Sequence, residues 1–160
     1  MLKFSKTEDR DWVVEKGPWM IYGTKPFMLR SWEEGGSFDM TSFERVPMWV
    51  KLHDLHPYFR SEYMLEMIGS MIGIPICLDA VTASNLKHEF ARILVEVSVE
   101  EMNRFEAILV SSTGEEFVIP IDFEWAPWSC SHCECFGHME EFCPKKSRGK
   151  KTAAWKGKGV

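Results

Sequence analysis

Four of the five cysteines and two of the five histidines fall within residues 130–143, CSHCECFGHMEEFC. Six donors are more than one small metal site takes. Cys130-x2-Cys133 lets two thiolates reach one ion across a tight turn. His138 follows after four intervening residues, and Cys143 after four more. This C-x2-C-x4-H-x4-C set offers three thiolates and one imidazole, which suits tetrahedral Zn2+. We expect one structural zinc on Cys130, Cys133, His138 and Cys143. Four protein ligands close the shell and leave no position for a reactive water, so a metal-dependent hydrolase is disfavoured. Gly137 permits the sharp turn that so short a loop needs. His132 lies between the first two thiolates and should point away from the ion. Cys135 competes with Cys133, but choosing it gives the less regular C-x4-C-x2-H-x4-C. A redox pair, or surface thiols without a ligand, is the remaining alternative. Cys77 sits in an apolar strand context and is expected as a buried, inert thiol. Fourteen residues cannot bury a useful core, so metal binding must supply most of this segment's folding free energy, about 10–16 kcal/mol in finger peptides.

The elements that must position this cluster come from a chain of 160 residues, 45% apolar, with seven Trp and eleven Phe. That suffices for one core plus small appendages. The net charge of −5 hides a split. From Lys145 onward there are seven Lys or Arg and no acid, which leaves −12 for residues 1–144. An acidic body with a basic tail suggests an anionic partner for the tail; a solvated, disordered terminus is the plain alternative. No run approaches the roughly 18 apolar residues of a membrane helix, and no signal-peptide core is present. An intracellular chain is expected, where clustered cysteines favour metal over disulfides.

Along the chain, "LKF" reads as a short strand. Ser5 and Glu8 have the spacing of a capping box for a helix that stops at Gly17-Pro18. "WMIY" and "FMLRSW" form a hairpin around residues 23–26, and Gly35-Gly36 tips a loop. A second unit begins with the strand "MWVKL". Ser61 caps a helix with the apolar stripe Met64, Leu65, Ile68, Met71 and Ile72, ended by Gly73 and Pro75. "PICLDAV" follows as a strand. In "ARILVEVSV", Ala91, Ile93, Val95, Val97 and Val99 fall on one face and Arg92, Glu96 and Ser98 on the other, which argues a strand with one buried face. "FEAILVS" and "EFVIPIDF" make a hairpin over Ser112-Thr113-Gly114, and Pro120 points to a sheet edge. The pattern is α+β, a mostly antiparallel sheet with two helices. It divides into residues 1–45 as an incomplete α+β unit, 46–127 as the body, 128–144 as the metal-binding segment and 145–160 as a disordered basic tail.

The cluster spacing looks like the CCHC zinc knuckle of retroviral nucleocapsid and related nucleic-acid-binding proteins. Upstream, "GPWMIYGTKPFMLRSW", "VPMWVKLHDL", "MIGIPICLDAVT" and "FARILVEVSV", in that order, are similar to a plant domain of unknown function. That domain is common in proteins derived from LINE-like retrotransposons and usually precedes such a knuckle. The resemblance covers about residues 5–144. It implies nucleic-acid binding and a body related to a βαββαβ, RRM-like or ferredoxin-like arrangement. Family members carry a further strand–helix–strand before the segment matching "LKFSKTEDRDWVVEKGPW", so the N-terminal unit reads as truncated, with an uncovered sheet edge.

Knuckles stack aromatics on unpaired bases and pair basic groups with phosphates. Phe136 and Phe142 are the aromatic candidates. Lys145, Lys146, Arg148, Lys150 and Lys151 are the phosphate contacts. Ser131 stands where the retroviral pattern often has an aromatic, and Glu134, Glu140 and Glu141 repel phosphate. The expected function is therefore a non-catalytic binder of RNA or single-stranded DNA through knuckle and tail together, with nuclear localisation. A protein-contact adaptor whose tail is a nuclear-import signal is the alternative. No phosphate loop, nucleophile elbow or paired-carboxylate arrangement suggests a small-molecule substrate. His53 and His56 beside Asp54 read as loop residues, His88 likewise.

Overall fold

β-Branched and other apolar residues concentrate in five runs between residues 45 and 123, and these build the main sheet. The computed structural model describes residues 3–21, 25–27, 29, 43–84 and 89–147. Gly35-Gly36, His88 and the tail from Arg148 onward lie outside the described residues. The strands are β3 (Arg45–His53), β4 (Ile74–Leu78), β5 (Phe90–Ser98), β6 (Glu106–Val110) and β7 (Glu116–Phe123). They form one antiparallel sheet in the order β4-β5-β3-β7-β6. Helix α2 (Glu62–Ile72) joins β3 to β4, and β5 lies between those two strands. The expected α+β class and antiparallel sheet are present.

Period-two alternation puts Val46, Met48, Val50 and Leu52 of β3, and Ala91, Ile93, Val95 and Val97 of β5, on the face that meets α2. From α2 come Leu65, Ile68 and Ile72, all buried. Met71, which the stripe also includes, is exposed on the margin of that face. Ser61 caps the helix as its sequence position predicts, its Oγ accepting the Met64 N–H at 3.3 Å. Gly73 ends it where the backbone runs against Glu96 of β5.

The opposite face departs from the one-sided expectation. Leu94 and Trp49 are buried there, directly paired across β5 and β3. The Arg92 guanidinium lies 4.2 Å from the Trp49 ring centroid. Glu124 accepts from Arg92 at 2.6 and 2.9 Å and pairs with Lys51 at 3.2 Å. The N-terminal unit adds to the cover. Helix α1 (Thr7–Glu15) and the hairpin β1 (Trp19–Ile21) and β2 (Lys25–Phe27) precede the sheet. Val14, Pro18 and Phe27 line a cleft with Pro47, Ile76 and Glu96. Residues 3 and 4 form no strand, and α1 is preceded by Lys6 with no side-chain cap, so Ser5 and Glu8 make no capping box.

Pro120 does not lie on an edge strand. β7 is interior, with β6 outside it. Ile121 N–H donates to the Phe105 carbonyl on the β6 side, so the Pro120 nitrogen faces β3. Pairing with β3 covers only Ile121, Asp122 and Phe123, and the absent N–H falls just past it. Residues after Leu78 turn into a one-turn helix, α3 (Ala80–Ala83), rather than continuing β4. No helix among the described residues is long and apolar enough to cross a membrane.

Candidate metal centre

Two short strands, β8 (Ser129–Cys130) and β9 (Cys135–Phe136), pair antiparallel and bring the first cysteines together. The turn between them closes by the Glu134 N–H donating to the Cys130 carbonyl at 2.9 Å. Glu134 takes a left-handed conformation, φ 55°. Gly137 has φ 103° and donates its N–H to the Trp128 carbonyl at 2.8 Å, which turns His138 back toward the cysteines. A 3-10 turn at Glu140–Phe142 then delivers Cys143, followed by α4 (Pro144–Ser147).

The ligand atoms of Cys130, Cys133, His138 and Cys143 all lie within 4.8 Å of one another. Zinc–sulphur bonds of about 2.3 Å in a tetrahedron put sulphurs about 3.8 Å apart, so one ion fits the space. His138 Nε2 lies 3.3 Å from Cys133 Sγ and is the nitrogen that faces the centre. Its Nδ1 is buried with no hydrogen-bond partner among the described residues. Cys130 and Cys143 are buried, Cys133 partly so. The donor set can therefore hold one metal ion, and its three thiols and one imidazole fit zinc.

The two spare groups behave as expected from spacing. Cys135 Sγ donates to the Cys133 carbonyl at 3.2 Å and stays outside the four-donor group. His132 is also outside it. Burial raises the Cys130 thiol, but backbone N–H groups of Cys133 and His132 outweigh this and bring its pKa down to about 7. Burial first, and then hydrogen bonding with Cys130, pushes Cys133 up to about 12. The thiols share protons as a set, which a divalent cation would displace. Cys77, expected to be buried, is exposed. A bulge between Pro75 and Cys77 shifts the register of β4 by one residue and turns Leu78 inward in its place.

The aromatic candidates separate. Phe142 is 70% exposed, as a stacking ring must be. Phe136 is 1% exposed and belongs to the main core, so the expectation that it stacks on bases does not hold. Its backbone N–H donates to the Phe43 carbonyl at 2.8 Å, just ahead of β3, and this pairing carries the ring inward. Trp128, the first residue of the metal-binding segment and not among the expected stacking rings, is 67% exposed. Its position two residues before the first ligand was the available signal.

Lys145 is exposed. Lys146 is engaged: its Nζ donates to Glu140 Oε1 at 2.7 Å, while Ser131 Oγ donates to Glu140 Oε2 at 2.5 Å. Hydrogen bonds from Lys146 and then Ser131 hold the Glu140 carboxyl below its ordinary range. This clasp accounts for Ser131 and removes one repulsive acid, but it also occupies one expected phosphate contact. Arg148, Lys150 and Lys151 lie outside the described residues. His53 pairs loosely with Asp122 at 3.9 Å, and His56 Nδ1 accepts the Tyr58 N–H at 3.2 Å, so neither belongs to a metal group.

Comparison with protein-family models, curated proteins and solved structures returned no match for this chain.

Proposed function

We propose that the chain is a non-catalytic zinc-knuckle protein that binds RNA or single-stranded DNA. The observation that carries this reading is the compact Cys3His group with exposed rings on either side of it. Trp128 comes two residues before Cys130, and Phe142 one before Cys143. Both are supported by the rigid turns around the ligands, and Lys145 opens the basic run directly after them. Stacking plus phosphate neutralisation is the chemistry that grips unpaired strands.

The loose motifs upstream support descent from the retrotransposon-derived plant family. The order β4-β5-β3-β7, with α2 crossing from β3 to β4, supports an RRM-like relationship in which β6 stands where a second helix would be. RRM sheets stack bases on one exposed face. Here that face carries buried Pro47, Trp49 and Leu94, which favours the knuckle end over the sheet. A nuclear protein is consistent with the basic tail.

The test is binding to a single-stranded oligonucleotide at several salt concentrations. Three proteins are compared: the full chain, Cys143→Ser, and a chain ending at Pro144. Both changes should weaken binding, and loss of the tail should flatten the salt slope. No binding by the zinc-loaded full chain at low salt would refute the reading. A protein-contact adaptor is the second reading. It is favoured by β6, an edge strand among the described residues, whose outer face with β7 exposes Ile108, Val110 and Val118. No oligonucleotide binding, together with binding of a protein partner that Val110→Lys abolishes, would support it.

A further inference from the structure

A zinc knuckle of fourteen residues is expected to hang from its body and fold on its own metal. The geometry here is different. Phe136 lies between two metal ligands in sequence, Cys133 and His138, yet its ring is 1% exposed among the core residues of the main sheet. Its N–H donates to the Phe43 carbonyl, and Phe43 itself packs on that core. β9 therefore pairs on one side with β8, which carries Cys130, and on the other with the lead-in to β3. A ring so placed cannot stay seated if the loop that carries it opens. Nor can the loop keep its shape without its seat.

We infer that Phe136 is a positioning residue for the metal centre, and that metal binding and folding of the sheet are coupled through it. This rests on the metal part of the function proposed above and not on nucleic-acid binding. Two consequences follow from linkage. Zinc stabilises the whole body rather than only residues 130–143, and the core raises zinc affinity above what the four ligands give by themselves.

The experiment uses the full chain. Zinc content and zinc affinity are measured by competition with a chromophoric chelator, and Tm is measured with and without zinc. Variants are Phe136→Ala, Phe136→Leu, the exposed control Phe142→Ala and the core control Ile72→Val on α2. Zinc removal should lower the wild-type Tm by roughly 10 °C or more. Phe136→Ala should weaken zinc affinity by about tenfold or more, with Phe136→Leu recovering part of it. The gap in Tm between loaded and stripped protein should shrink in the Phe136 variants. In Ile72→Val both temperatures should fall together and the gap should stay, because that residue stabilises the core without touching the coupling. Should Phe136→Ala not fold, the leucine variant carries the comparison. A protein that binds zinc but keeps the same Tm without it overturns the inference alone. So do Phe136 variants with wild-type zinc affinity. A protein that takes up no zinc overturns the metal reading and the inference together.

Discussion

Glu134 holds a left-handed turn, φ 55°, that glycine adopts without cost. An L side chain there costs on the order of 1 kcal/mol. Glu134→Gly should therefore stabilise the zinc-loaded protein by about 1 kcal/mol, read as a rise in Tm. Stoichiometry separates the sulphurs. Cys135→Ser should retain one zinc per chain, whereas Cys133→Ser should lose tight binding, both measured by metal analysis after gel filtration. The four-donor group was legible because ligand spacing is local: a few residues of turn decide which donors meet. Phe136 was not legible by the same means. Its burial depends on Phe43, far upstream, and no pattern within the knuckle records that contact. The engagement of Lys146 was hidden for a related reason, since a run of lysines in sequence does not show which one meets Glu140.

Gly73 lies where α2 closes tightly on β5. A Cβ there would meet the Glu96 carbonyl oxygen at 2.5 Å and Val95 Cγ1 at 3.0 Å. Backbone cannot yield as a flexible side chain does, so Gly73→Ala should cost about 2 kcal/mol or more in urea unfolding, through displacement of α2 from β5. Ser61→Ala, at the other end of the same helix, should cost about 1 kcal/mol by leaving the Met64 N–H without its acceptor. Helix α2 and strand β5 were readable from periodicity because one face of each dominates its burial. The register of β4 and the place of β7 within the sheet were not. The bulge at Pro75 breaks the alternation of β4. The interior position of β7 is set by pairings with β3 and β6, and its proline falls just past the β3 pairing.

At the scale of the molecule, the ion-pair layer over the sheet makes stability depend on pH. Burial raises the Glu124 carboxyl, but hydrogen bonds from Arg92 and Lys51 outweigh it and hold its pKa below the ordinary 4.5. A carboxyl depressed by folding stabilises the native state above its unfolded pKa. That contribution is lost as pH falls through the folded value. Glu124→Gln should cost about 2 kcal/mol at pH 7, because it leaves Arg92 half-buried without its main counter-charge. The difference from wild type should close as the pH falls below 4.5 and through the folded value, measured by urea midpoints across pH.

The two margins of the main sheet are unlike. β4 is interrupted by its bulge and by Pro75, whereas β6 pairs with β7 without a register shift from Glu106 to Val110. Two copies joined β6 to β6 would make a ten-stranded sheet whose outer margins are both broken strands. Such an assembly terminates by its own symmetry rather than growing into a fibre. In sedimentation, rising concentration should then reveal a second species of twice the mass and nothing larger.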